Sequence, residues 1–200
     1  MSSFLVGLTG GLAAGKSTVG SWLADAGLRV VDADRLVAEL YEPGQPGAEI
    51  VSTMFGAGVL DTNGRVDRGM LAQTVFVDPK ARDRLEAVVH PLVRGRFLSL
   101  AEVSSDIIVL EATLLVEAGF APMFDFVVTI EADPELRVQR AVERGLTVEA
   151  ATARLDAQGR TDDRIAAADV VIWNNGDLDE LRAQTEQLID TLRCRAEGND

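Results

Sequence analysis

Five short apolar runs punctuate the chain, and each stops at a polar residue or a glycine. Phe4-Leu5-Val6-Gly7-Leu8 leads into Thr9-Gly10, and Leu28-Arg29-Val30-Val31 stops at Asp32. Ile107-Ile108-Val109-Leu110 stops at Glu111, and Phe126-Val127-Val128-Thr129-Ile130 ends near Glu131 and Asp133-Pro134. Val170-Val171-Ile172-Trp173 ends at Asn174-Asn175-Gly176. Near-continuous Val, Ile and Leu, without a regular polar alternation, predicts strands buried on both faces. Between these runs the apolar spacing is helical. Trp22, Leu23 and Ala26 follow the first run; Leu36, Val37, Leu40, then Met70, Leu71, Val75, Phe76, then Leu85, Val88, Val89, Leu92, Val93, Phe97 and Leu98 fill the interval from Arg35 to about Ser104. Turn residues interrupt that interval at Pro43-Gly44-Gln45-Pro46-Gly47 and Asp61-Thr62-Asn63-Gly64. A helical, arginine-bearing stretch is predicted from Pro134 to about Gln158, and a final helix from Leu178 to about Arg195 with Leu181, Leu188, Ile189 and Leu192 buried. Strands alternating with helices predict an α/β fold, a five-stranded parallel sheet with helices on both faces. Such sheets bind ligands at the carboxyl ends of their strands, so the residues at those ends matter most.

At the end of the first run stands Gly10-Gly11-Leu12-Ala13-Ala14-Gly15-Lys16-Ser17-Thr18, a Gly-x4-Gly-Lys-Ser motif between a strand and a helix. Glycines at 10 and 15 let the backbone curl around an anion, and the amides of the loop and the positive end of the helix dipole then face phosphate oxygens. Lys16 supplies a mobile charge for β- and γ-phosphates, and the Ser17 hydroxyl is placed to ligate Mg²⁺. The motif therefore predicts ATP or a related nucleotide as ligand, with Mg²⁺ accompanying it. The second run ends in Asp32-Ala33-Asp34. One of these carboxylates can accept a proton from an attacking hydroxyl, and the reading favours Asp32 as base with Asp34 as helix cap or auxiliary. Glu111 occupies a position like the acidic residue that helps hold Mg²⁺, directly or through water. Glu117 follows Leu114-Leu115-Val116 and reads equally well as a surface acid. Arg137, Arg140 and Arg144 recur at helical spacing, with Arg154 and Gln158 further on, which suits either a lid over transferring phosphate or a solvated face. His90, before Pro91, reads as a hydrogen-bonded structural residue; Trp22 and Trp173 read as core or as packing beside an adenine, with core favoured. The Asp61-x-x-Gly64 resemblance to a switch motif is discounted, because it lies in a loop and not at a strand end.

Composition narrows the partners. The chain of 200 residues is 47% hydrophobic, enough for a real core, and carries 32 acidic against 19 basic residues for a net charge of −13. Such an acidic balance argues against nucleic acid as partner. No apolar run approaches the roughly 18 residues that span a membrane. The N-terminus enters the first strand without a leader pattern, and the lone Cys194 fits a reducing compartment, so a cytoplasmic protein without a membrane partner is expected. Lys16 and Lys80 are the only lysines; all other cationic side chains are arginine.

With these pieces in order the sequence resembles the dephospho-coenzyme A kinase family over essentially its full length. The resemblance is carried by Gly7-Leu8-Thr9-Gly10-Gly11 with Gly15-Lys16-Ser17-Thr18, by Val31-Asp32-Ala33-Asp34, Phe55-Gly56, Val66-Asp67-Arg68 with Leu71 and Val75-Phe76, and by Leu85-Glu86 with His90-Pro91. Leu114-Leu115-Val116-Glu117, Gln139-Arg140, Arg144, Gln158 and Ala168-Asp169-Val170-Val171-Ile172 with Asn174 and Gly176 complete it. It implies transfer of the ATP γ-phosphate to the ribose 3′-hydroxyl of dephospho-CoA, the last step of coenzyme A synthesis. It also implies a single domain with its core at 1–34, 105–135 and 165–200, an acceptor-binding helical region at 35–104 and a lid at 136–164. The family's catalytic aspartate maps to Asp32 and its lid arginine to Arg140. ATP contacts fall on the loop residues 10–18 with Arg140, Arg144 and Asn174, and acceptor contacts on Asp32, Asp34, Asp67, Arg68, His90, Leu114 and Glu117. A monomer or weak oligomer is expected. The family usually reads Asp-x-Pro where this chain has Glu111-Ala112-Thr113, and Ala13 and Ala14 replace small Gly or Ser residues of the loop. Alternatives are another small-metabolite or nucleoside-monophosphate kinase of the same architecture, or a catalytically weak nucleotide-binding regulator.

Overall fold

The structure is a computed structural model that describes residues 3–103 and 106–198. In chain order its elements begin with β1 (Phe4–Gly10), α1 (Lys16–Asp25), β2 (Arg29–Asp32), α2 (Ala33–Leu40), α3 (Pro46–Phe55), α4 (Arg68–Phe76) and α5 (Pro79–Glu102). They continue with β3 (Ile107–Glu111), β4 (Phe126–Glu131), α6 (Pro134–Glu143), α7 (Val148–Asp156), α8 (Thr161–Ala167), β5 (Val170–Trp173) and α9 (Leu178–Ala196). The chain divides into two compact units, Met1–Val31 with Ala101–Asp200, and Asp32–Leu100.

The first unit is built on the predicted five-stranded parallel sheet, ordered β2-β3-β1-β4-β5. β1 is central, paired in parallel with β3 on one side and β4 on the other, so that Val6 faces both Val109 and Phe126. Period-two geometry sends Val6, Leu8, Ile107, Val109, Phe126, Val128 and Ile130 to one face. There they meet Val19 and Leu23 of α1 and Leu181, Leu188, Ile189 and Leu192 of α9. The opposite face is also buried and mixes apolar Ile108, Leu110 and Val127 with Gly7, Thr9, Thr129 and Glu131. Leu115 and Phe124 fill the space a side chain on Gly7 would need. The neighbours of β1 run away to opposite edges, and the crevice between its two connections is where an open α/β sheet takes its ligand.

The stretch from Pro134 to Gln158 is helical as expected, in two pieces: α6 closes at Glu143, Gly145 (φ 98°) turns the chain, and α7 restarts with the Thr147 hydroxyl accepting from the Ala150 amide. One expectation needs correction here. Trp173 is not core; it ends β5, a strand at the sheet's edge, and is 45% exposed. Trp22 is half-buried against the α1–α9 core, with the Arg182 guanidinium 5.5 Å from its ring centre.

The second unit contains α2 to α4 and most of α5, with the loops 41–45 and 56–67 where turn residues predicted them. Its buried apolar residues include Leu36, Leu40, Tyr41, Val51, Val59, Val66, Leu71, Val89, Val93 and Phe97. The Asp61 carboxylate accepts from the amides of Asn63 and Arg65, closing a tight loop, and Leu60 bridges to Val66 behind it. Asp61 is thus spent on its own turn. No helix among the described residues is long and apolar enough to cross a membrane.

Candidate active site at the phosphate loop

The loop leaving β1 is shaped by backbone angles that its sequence permits. Gly15 has φ 109° and Ala13 φ 56°, so successive amides turn inward to form a nest. A side chain at Gly15 would also run into the Asn174 amide. Bonds within the described residues use the amides of Leu12, Ala14, Thr18 and Val19. Those of Ala13, Gly15, Lys16 and Ser17 take no partner among the described residues. α1 accordingly begins without a side-chain cap, its orphan donors pointing out of the helix. An anion is the natural partner of such a terminus.

Lys16 and Ser17 open α1. The Lys16 ammonium donates to Glu111 Oε1 at 2.7 Å, each side chain only 14% and 12% exposed. Glu111 ends β3, beside β1, and its other oxygen lies where a Cβ on Gly20 would stand. Ser17 and Gly20 are three apart, so the exposed Ser17 hydroxyl and the Glu111 carboxylate share one face of α1. Hydroxyl and carboxylate oxygens suit a hard cation such as Mg²⁺, which takes few protein ligands and completes its shell with water and substrate phosphate. The residues present therefore fit that ion.

The ends of β4 and β5 lie against the loop. Asn174, following β5, is 6% exposed and fully engaged. Its amide nitrogen donates to the Ala14 carbonyl at 2.8 Å, and its backbone carbonyl accepts from Arg140 at 3.0 Å. Arg140 also reaches the Asn174 side-chain oxygen at 3.5 Å. The three arginines expected on one face of a helix have separate situations. Arg137 is 4% exposed and bonded to the loop at the Leu12 carbonyl, Arg140 is half-buried on Asn174, and Arg144 is an exposed helix-ending residue. The three therefore do not form a single solvated face, the alternative to a lid. Burial pulls the Arg137 pKa down; Glu131 opposes the effect and Arg164 adds to it. The Leu12 amide, expected among the nucleotide donors, donates to Gln158 instead.

Behind the loop lies an ion pair that sequence reading missed. Glu131, 0% exposed, receives Arg164 Nε at 2.7 Å and Nη2 at 3.0 Å, plus the Thr129 hydroxyl. Arg164 also donates to Gly159 O, the Thr161 hydroxyl and Glu117 Oε1, the last at 3.4 Å. Glu117 is thus in an ion pair rather than free on the surface. Burial acts to lower the Arg164 pKa, but the bond and charge of Glu131, with Glu117 adding to them, hold it above the ordinary arginine value. A glutamate closing the apolar strand Phe126–Glu131 was the available signal, since a buried carboxylate requires a cation. Arg164→Met would strand that charge and is expected to cost about 3–5 kcal/mol of stability, read by chemical denaturation. Arg164→Met with Glu131→Gln should cost less than the single change.

In the second unit Asp32, not Asp34, is the helix cap: its Oδ1 accepts from the amides of Asp34 and Arg35 at 2.7 and 3.4 Å. Asp34 sits exposed in the first turn of α2. Asp67 caps α4 in the same way, through Gly69 and Met70. Arg68 is exposed, and its charge lowers the Tyr41 pKa against the larger rise that burial causes. His90 is half-buried inside α5. Leu114, in the first unit, is 48% exposed.

A central parallel strand that delivers open amides, a lysine and a serine hydroxyl at a helix N-terminus defines the class, a P-loop phosphotransferase built like the small-metabolite kinases. The sequence profile of dephospho-CoA kinase matches residues 4–180. The dephospho-CoA kinase of Frankia casuarinae is 42% identical over 98% of this chain and 86% of its own length, and that of Streptomyces avermitilis 43% over 96% and 95%. The solved dephospho-CoA kinase of Campylobacter jejuni superposes with a TM-score of 0.71 at 27% identity, covering 99% of this chain and 98% of its own. This chain belongs to the dephospho-CoA kinase family.

Proposed function

We propose that the chain transfers the γ-phosphate of ATP to the ribose 3′-hydroxyl of dephospho-CoA, giving CoA and ADP in the cytoplasm. The observation that carries this reading is the phosphate loop at the end of β1, with four amides and Ser17 open to a polyphosphate and the Lys16 ammonium held beside them by Glu111. The acceptor is taken from the family to which the chain belongs.

The loop amides bind the β- and γ-phosphates, and Lys16 exchanges its contact with Glu111 for phosphate oxygens as charge develops on the transferring group. Ser17 and Glu111, the latter through water or directly, would hold Mg²⁺, which supplies neutralising charge between the phosphates. Asp32 takes the proton of the 3′-hydroxyl. Its Oδ1 is committed to capping α2, which leaves Oδ2 for that proton. The acceptor oxygen bonds to the γ-phosphorus, the bond from that phosphorus to the β–γ bridging oxygen breaks, and ADP departs. Asp34, Asp67, Arg68, His90, Leu114 and Glu117 are assigned to the acceptor, and Arg144 and Asn174 to the nucleotide.

Residues 136–164 act as the lid, and Arg140 is its working cation. It bonds to Asn174 at the end of β5, within the site, and its task is to reach the transferring phosphate on closure. Arg140→Ala is therefore expected to cut single-turnover transfer by about 10²–10³-fold while ATP affinity falls less than about fivefold. Arg140→Lys should rescue only partly, because an ammonium lacks the planar fork. Equal loss of both quantities would make Arg140 an ordinary ground-state ligand. Assaying transfer from ATP to dephospho-CoA, nucleoside monophosphates and other small alcohols tests the function itself. CoA formation should dominate kcat/KM; a nucleoside monophosphate phosphorylated as well or better sinks the assignment.

A further inference from the structure

Leu12 is gripped at both of its polar backbone atoms. Its amide donates to Gln158 Oε1 at 2.9 Å, and its carbonyl accepts from Arg137 Nε at 2.9 Å. Arg137 Nη2 donates to the same Gln158 oxygen at 2.8 Å, which closes a ring of three bonds around one residue of the loop. The oxygen assignment of Gln158 is forced by its partners, since both are donors. Arg137 lies at the start of α6 and Gln158 between α7 and α8, so the arm takes hold of the loop from both of its ends. Gly159, next to Gln158, has its carbonyl pinned by Arg164, which is itself locked onto Glu131. The side chain of Ala13 packs with Ala141 and Ala151, flanked by Leu12, Val138 and Leu146.

A loop that places a non-glycine residue in the left-handed region stores strain and relaxes unless its surroundings hold it. Here the surroundings do so at the peptides on either side of Leu12, immediately before the strained Ala13. We propose that Gln158 and Arg137 are positioning residues for nucleotide binding, which hold the phosphate loop in its anion-receiving conformation before ATP arrives. Without the clamp only a fraction of molecules present the loop correctly, and apparent affinity falls by that fraction. The inference rests on the nucleotide half of the reading above and is indifferent to which acceptor the chain uses.

The clamp has a chemical signature. Gln158 works through an acceptor oxygen alone, so a glutamate serves as well, whereas a glutamine that touched phosphate through its amide would be ruined by that change. The test measures equilibrium ATP binding by calorimetry, KM for ATP and kcat, and thermal midpoint for Gln158→Glu, Gln158→Met and Arg137→Lys. Gln158→Met should raise Kd and KM for ATP about 5–30-fold, with kcat at saturating ATP within about threefold of the parent. Gln158→Glu should keep Kd within about threefold. Arg137→Lys keeps the charge but reaches one partner only, and should weaken ATP binding in the same direction even if the methionine variant fails to fold. Gln158→Glu binding ATP more weakly than Gln158→Met would overturn the proposal, as would a lower thermal midpoint with unchanged ATP affinity in the methionine and lysine variants. Loss of kcat with unchanged ATP affinity would overturn it too. Because ATP binding is read without acceptor, dephospho-CoA failing as substrate leaves the clamp standing and refutes only the acceptor.

Discussion

Lys16→Ala is expected to lower phosphate transfer by about 10³-fold or more while the protein still folds, because the lysine is the one mobile cation presented by the loop and its proposed role is to stabilise charge on the transferring group. The parent geometry explains both halves of this expectation. The ammonium lies 2.7 Å from Glu111 at the mouth of the loop and makes no other side-chain bond among the described residues, so the sheet and α1 do not depend on it. Removing it leaves Glu111 short of a partner, but that carboxylate retains some exposure and can take water or a cation. Transfer assays set beside a thermal melt separate the effects. Near-normal turnover in the variant would overturn the phosphate-loop assignment.

Asp32→Asn is the second large effect. Asparagine caps a helix about as well as aspartate, so the amides of Asp34 and Arg35 keep an acceptor and α2 keeps its start. What disappears is the proposed proton acceptor, and the chemical step should slow by roughly 10²–10⁴-fold. ATP affinity should hardly change. Single-turnover measurement isolates the step from product release, and Asp34→Asn provides the control. If the Asp34 variant proves the more damaging, the base is the other carboxylate. Asp32→Ala would mix the two roles, adding the loss of a cap, worth about 1 kcal/mol, to the loss of the base.

Much of the sheet was legible because buried parallel strands write themselves as apolar runs, and the loop because Gly15, Lys16 and Ser17 are residue types with few substitutes for that task. Other features were hidden for physical reasons. Helical spacing places Arg137, Arg140 and Arg144 on one face, yet it carries nothing about depth, and one turn separates a buried arginine from a half-exposed one. Asp32 and Asp34 are equally good capping types, so which of them caps depends on where β2 ends, and boundaries are weakly encoded. Gln158 looks like any polar residue between helices; its oxygen matters only because the fold returns it to Leu12 across 146 positions of sequence. Trp173 suggested core by its bulk, but it lies on an edge strand whose outer residues meet solvent.

The second glycine of the loop has a different reason for existing from that of Gly15. Gly15 answers to backbone angle and to Asn174, whereas Gly11 leaves room for the Arg137 guanidinium, which stands where its Cβ would be. In the general motif that position is free to vary; in this chain it is not. The phosphate loop is consequently no portable cassette. Grafted into another α/β scaffold without residues 137 to 158, it would carry a glycine with nothing to receive and a Leu12 peptide with both polar atoms unclaimed. The unit that could be transplanted is the loop together with its arm.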